Sequence, residues 1–205
     1  MKKAILKVLI FTYVIFLGGC ASGYRTINPP SLNYNSHDLQ DGIGLSYKYD
    51  VLQERGNKKY SKKEDKKDVK LIAVKLTNNT ESIINVSKDI AFYSGQNQII
   101  PMEPLAIKNS IKQIVPGYLP YLLLTLLTLN VTTETSQESY PIGLFIGPAI
   151  TIGNMAVAGS ANTNLLKELN EFNVLNRDIK VGETIYGIIG IREMGYNPLS
   201  VKMKK

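Results

Sequence analysis

A single cysteine closing a short apolar run constrains this chain more than any other feature. Lys2, Lys3 and Lys7 are followed by Val8 to Leu17, ten residues without a charge. That length fits the apolar stretch of a secretory signal, about 7–15 residues, and falls short of the about 20 that span a bilayer as a helix. Gly18 and Gly19 then place small side chains directly before Cys20, the one cysteine in 205 residues. Export leads to an oxidising compartment, but one thiol forms no intramolecular disulfide and no cysteine cluster for zinc or iron–sulfur. The fold must be held by its core.

Leu17-Gly18-Gly19-Cys20 resembles the lipobox of bacterial lipoproteins, whose thiol is modified with diacylglycerol before cleavage. The resemblance implies that residues 1–19 are a signal peptide and that Cys20 is the acylated first residue of the mature protein. At about 0.8 kcal/mol per buried methylene, the acyl chains this class carries anchor a protein stably in the lipid bilayer. Ala21 follows, and a neutral residue there goes with the outer membrane in the proteins it resembles. The acidic surface-export tag of some Bacteroidota lipoproteins is missing from Ala21-Ser22-Gly23-Tyr24. The expected location is therefore the outer membrane, facing the periplasm.

Removing 19 residues leaves 186, enough for one domain plus an insertion, and 44% of the chain is hydrophobic, so it buries a core. Three of the 24 basic residues depart with the signal, leaving 21 against 17 acidic ones, a net of +4. That excess is too small to point to nucleic acid.

Residues 20–42 are polar, with Pro29-Pro30, and read as a tether. From 43 to 102 the pattern is that of strands. Ile43, Leu45, Tyr47 and Tyr49 alternate with smaller or polar residues, the period of a half-buried strand. Glu54 to Asp68 holds seven basic and four acidic residues and reads as a solvated, mobile hairpin loop. Val69 to Leu76, Ile83 to Val86, Ile90 to Tyr93 and Gln98 to Ile100 are further strand candidates, and residues 179–205 supply the last ones, ending with Leu199 to Met203.

Val74-Lys75-Leu76-Thr77-Asn78-Asn79-Thr80, together with Val181-Gly182-Glu183-Thr184-Ile185-Tyr186-Gly187, is similar to elements of the small immunoglobulin-like domains of bacterial envelope lipoproteins. The resemblance implies an α+β, mainly β, chain: an immunoglobulin-like antiparallel β-sandwich with an inserted hydrophobic helical hairpin. It implies no activity.

The insertion occupies 103–178. Leu122 to Val131 is nearly all Leu and Thr, and Tyr140 to Ala158 is uncharged. Two helices are expected, the second starting near Pro148, a residue suited to the first helical position. Gly143-x-x-x-Gly147 marks either a close helix pair or a helix start. Three roles stay open: cover for the sandwich, a segment dipping into the leaflet that holds the lipid, or an interface for a protein partner or a second copy across 117–159. For the last two, Tyr118, Tyr121, Leu122, Leu123, Leu126, Tyr140 and Phe145 are the candidate contacts.

Chemistry is sparse. His37, the one histidine, lies in the expected tether, and no His–Glu spacing suggests a metal. Glu103, Glu183 and Glu193 are the carboxylates that a hydrolytic pair would use, each also fitting a turn or surface position. Lys58, Lys59, Lys62, Lys63, Lys66 and Lys67 face anionic headgroups in one reading, but Glu54, Glu64, Asp65 and Asp68 dilute them. The expectation is a non-enzymatic lipoprotein without cofactor or metal, acting as a binding or assembly module. The alternative is a periplasmic small-molecule or glycan binder with Tyr118, Tyr121 and Tyr140 around a pocket between hairpin and sandwich.

Overall fold

The computed structural model describes residues 20–133 and 136–204, so the expected signal peptide, with Leu17, Gly18 and Gly19 of the expected lipobox, lies outside the described residues. The chain is α+β with antiparallel sheets. It divides into two compact units, residues 20–23 with 113–161, and residues 24–112 with 162–204.

The larger unit carries the two main sheets. Strands β1 (Ser36–Gln40), β2 (Ile43–Lys48), β3 (Val69–Asn78) and β10 (Thr184–Arg192) form one sheet in the order β1-β2-β3-β10. The second is β11 (Leu199–Met203), β5 (Ile90–Ser94) and β6 (Asn97–Ile99), in the order β11-β5-β6. Period-two alternation directs Ile43 and Leu45 of β2, Ile72, Val74 and Leu76 of β3, and Ile185, Ile189 and Ile191 of β10 into one core. Ile90 and Phe92 of β5 and Leu199 and Val201 of β11 close that core from the other sheet.

Strand β3 is buried on both faces. Leu71 and Ala73, on its reverse side, are at most 1% exposed. Helices α1 (Val51–Glu54), α2 (Lys58–Lys67) and α4 (Pro104–Ile111) pack on β3. A strand covered twice reads as a nearly unbroken apolar run, which is what Val69 to Leu76 is. Gly187 of β10 is a point of close approach, since a Cβ there would lie 2.9 Å from the Phe172 carbonyl oxygen and overlap Val174.

The two sequence pieces that resemble immunoglobulin-like domains meet in space. Thr77 and Thr184 are cross-strand partners with hydroxyls 2.9 Å apart. Buried Asn78 donates from Nδ2 to the carbonyls of Ser82 (2.7 Å) and Ile179 (2.9 Å), while its Oδ1 accepts from the Thr80 N–H (2.9 Å). Its backbone N–H donates to Glu183 O and its carbonyl accepts from the Gly182 N–H. Ile179 belongs to β9 (Asp178–Ile179), paired with β4 (Ile84–Asn85), and the Asn85 side chain caps α3 (Val86–Asp89).

Three expectations change here. Residues 24–42 are not a loose tether: Ile27 is fully buried and Ser36–Gln40 is a sheet strand. Glu54 to Asp68 is not a hairpin loop but mostly α1 and α2, because Lys and Glu are good helix formers and Tyr60, Ser61 and Glu64 give α2 a buried side. The helix α4 belongs with the sheets, so the segment starting at 103 does not leave the larger unit until Gln113.

The smaller unit corrects the helical hairpin. Its first arm is a run of 3-10 turns, Val115–Leu126, followed by β7 (Leu129–Thr132) paired with β8 (Gln137–Tyr140). Pro116 and Pro120 lack the N–H groups an α-helical ladder needs, and Leu129-Asn130-Val131-Thr132 alternates as a strand does. The second arm is a helix, α5 (Gly143–Glu171), whose first nineteen residues lie in this unit. It begins at Gly143, not near Pro148. The Gly143 N–H donates to Leu127 O at 2.9 Å, and a Cβ at Gly143 would stand 2.7 Å from the Leu127 nitrogen. Only glycine admits the backbone of 124–127 so close to the start of α5.

Candidate functional site

Cys20 is exposed and belongs to the smaller unit. The residues after it are pinned. Ala21 N–H donates to Asn154 Oδ1 at 2.5 Å, and Gln113 Nε2 donates to the Ser22 carbonyl at 2.7 Å. The Asn154 side chain is itself fixed, donating from Nδ2 to Ile150 O at 2.8 Å one turn back on α5. Cys20 thus stands at the rim of a groove of 410 Å³, walled by Tyr121, Leu124, Ala149, Ile150 and Val157. A cysteine opening on such a groove places any acyl group it carries against apolar side chains.

The apolar surface of the unit that holds this groove is broad. Leu126 is 79% exposed and Phe145 80%, and Leu122, Leu123 and Tyr140 are exposed as well. Leu119, Leu129, Leu144 and Ile152 add to the same unit's surface. Tyr118 is the exception among the expected contacts. It is 7% exposed, its ring stacks on Tyr121 (centroids 6.4 Å apart, planes at 16°), and its hydroxyl donates to Gln113 Oε1 at 3.4 Å. It therefore offers little surface of its own and packs beside Gln113, which binds the chain next to Cys20. Tyr121 is half-buried at the groove, and Tyr140 stands on exposed β8 with its hydroxyl donating to Glu138.

Sequence reasoning missed Gln113 and Asn154. Asn154 had a visible signal, as one of two polar side chains in the apolar run from Pro141 to Gly159; Thr151 is the other. Gln113 had none.

In the larger unit Glu168 organises the chain that follows Gly23. Its carboxyl group accepts from Tyr24 Oη (2.5 Å), Ile27 N–H (2.8 Å) and Asn28 N–H (2.8 Å). Burial, with Glu168 alongside, holds the Tyr24 phenol far above its ordinary value, so it remains a donor. Arg55 and Asn57 grip the same segment: Arg55 Nε donates to Ile27 O at 2.9 Å and Asn57 Nδ2 to Arg25 O at 2.7 Å. A cleft of 340 Å³ beside it is lined by Tyr24, Asn28, Lys167 and Glu171 among others.

The three carboxylates that a hydrolytic pair would use each have a separate local setting. Glu193 accepts from Ser94 Oγ at 2.6 Å, Glu183 accepts from the Lys180 N–H at 2.8 Å in a turn, and Glu103 is an exposed residue before α4. His37 lies on β1 with Nδ1 2.7 Å from Ser46 Oγ, exposed. Among the described residues no group of three His, Cys, Asp or Glu side chains is placed to hold a metal ion. No protein-family model, curated protein or solved structure matches this chain.

Proposed function

We propose that the chain is a non-enzymatic envelope lipoprotein, anchored through acylated Cys20 at the outer membrane and facing the periplasm. It acts as a binding or assembly module, and the apolar unit of residues 113–161 is its seat in the leaflet that holds the acyl chains. One observation carries the reading: Cys20 shares a compact unit with the exposed Leu122, Leu123, Leu126, Leu144 and Phe145. Exposed apolar patches of this kind mark membrane or interaction surfaces, and an acyl chain alongside adds to their membrane affinity. Tyr121 and Tyr140 suit the headgroup level, where amphipathic rings collect.

By length and composition α5 is the one described helix that matches a bilayer crossing. A seat in one leaflet is the better reading, because its last turns bury Leu165 and Leu169 and bind residues 24–28 through Glu168. We read the larger unit as a variant immunoglobulin-like sandwich. Its support is the antiparallel pairing of β3 with β10 and of β5 with β11 across one core, the adjacencies of strands B with E and C with F in such domains.

The direct test is metabolic labelling with palmitate in the native host. The wild-type chain takes up label and fractionates with membranes, while Cys20→Ser takes up none. Equal labelling of the two sinks the assignment.

A further inference from the structure

The lysines of α2 change meaning once the helix is seen. At about 100° per residue, Lys58, Lys59, Lys62, Lys63, Lys66 and Lys67 fall on one continuous half of the helix, opposite the side that buries Tyr60, Ser61 and Glu64. Three of the four carboxylates that dilute them in the sequence are turned to other work, and the fourth, Asp68, ends the helix. Glu54 pairs with Lys48 at 2.8 Å, Asp65 with Lys70 at 2.7 Å, and Glu64 is buried, accepting the Leu71 N–H at 2.7 Å. The α2 face is extended by Lys112 at the end of α4, whose carbonyl accepts from Lys63 Nζ. Burial first, then the ammonium groups of Lys67, Lys112, Lys59 and Lys66, hold the Lys63 amine below its ordinary value, which reports the positive field of the cluster.

The chain itself ties this face to the anchor. Arg25 N–H donates to Asn57 Oδ1 at 2.9 Å, and Asn57 is the residue that starts α2. Only five steps of backbone separate Cys20 from Arg25, about 18 Å at full extension.

We propose that the lysine face of α2, with Lys112, binds the anionic phosphate headgroups of the bilayer in which Cys20 is anchored. It is a second, electrostatic attachment beside the apolar one, and it rests on Cys20 being the anchor. Each lysine at a charged membrane surface contributes about a fivefold gain in partition.

The test uses the mature chain with Cys20→Ser, unacylated, and vesicles of phosphatidylcholine alone or with an increasing share of phosphatidylglycerol. Binding rises with phosphatidylglycerol, and raising the salt to roughly 1 M removes the increment, because the screening length falls to about 3 Å. Lys58, Lys62, Lys66 and Lys67 are exposed, so the quadruple glutamine variant keeps the wild-type melting curve. It loses the phosphatidylglycerol increment and keeps its binding to neutral vesicles. Equal binding to neutral and anionic vesicles, or an increment that survives the four substitutions, overturns the proposal. So does loss of the increment on adding inorganic phosphate at constant ionic strength, which would assign a discrete phosphate site. Failure of the anchor reading shows separately, as missing palmitate on the wild-type chain.

Discussion

Replacing Glu168 by alanine strips the acceptor from three donors at once: the Tyr24 hydroxyl and the N–H groups of Ile27 and Asn28. Ile27 is fully buried, so its N–H meets no water unless the segment lifts. Leaving a buried donor unmatched costs about 1–3 kcal/mol. Three such donors set an upper range near 9 kcal/mol, but the Tyr24 hydroxyl and Asn28 regain water once the segment loosens. The expected loss is therefore about 3 kcal/mol, close to the low end for all three. Glu168→Gln keeps one acceptor and should lose about half of that. Urea unfolding gives the stability, and limited proteolysis reports the segment, with new cleavage between Tyr24 and Leu32 in the alanine variant. An unchanged midpoint together with an unchanged cleavage pattern refutes the claim that this carboxyl group holds residues 24–28 in place.

Three further outcomes follow from particular residues. Burial, only partly offset by the Leu71 N–H and Lys70, pushes the Glu64 carboxyl up to about 8. Its neutral form is favoured in the folded state, so stability is full below the unfolded value of 4.5 and falls as pH rises from there through about 8, by up to about 1.4 kcal/mol per pH unit. Glu64→Gln should flatten that decline in urea titrations across pH and be more stable than the parent above pH 8; a parallel pair of curves speaks against it. Gly187→Ala should cost about 2–3 kcal/mol by overlap with Val174, while Gly153→Ala, whose Cβ meets nothing within 4 Å on α5, should gain up to about 1 kcal/mol; thermal melts of the pair that agree within error contradict the packing. Ile188→Ala should cost as much as Ile189→Ala, about 2–5 kcal/mol, since both are buried although they face opposite sides of β10; a surface-like loss at Ile188 alone would deny the helix layer.

The strands were legible because their signal is local. Ile43 to Tyr49 and Leu199 to Met203 alternate, Gly95 sits in a turn, β3 ends at the Asn78-Asn79 pair, and the strands occur where those patterns place them. Alternation puts Ile188 on the face of β10 opposite Ile189, yet both are buried, because Ile107 of α4 packs at Gly190 on that second face and nothing local announces it. The helix α2 escaped periodicity analysis because Tyr60 is its one apolar residue; its buried side is completed by Ser61 and Glu64. The supposed tether looked loose because its partners, Arg55, Asn57 and Glu168, lie about 30 to 140 residues away. In the insertion, leucine content argued for a helix where two prolines and a two-residue alternation decided otherwise. Of the site, Cys20 and the exposed leucines were readable from composition and order. The hydrogen bonds from Ala21 to Asn154 and from Gln113 to Ser22 were not, since side-chain amides in a helix and a loop carry no pairing signature.

The proposed seat of the apolar unit in a leaflet is tested most directly by floating the unacylated chain from residue 20 onward, Cys20→Ser, with neutral phosphatidylcholine vesicles, with sedimentation velocity run in parallel. The wild-type surface should float with the vesicles, and the double substitution Leu126→Glu with Phe145→Glu, at two side chains about 80% exposed, should leave the protein behind as a folded monomer. A chain that stays monomeric and does not float before any leucine is changed would contradict the account. Self-association without flotation would contradict it too, assigning the face to a second copy.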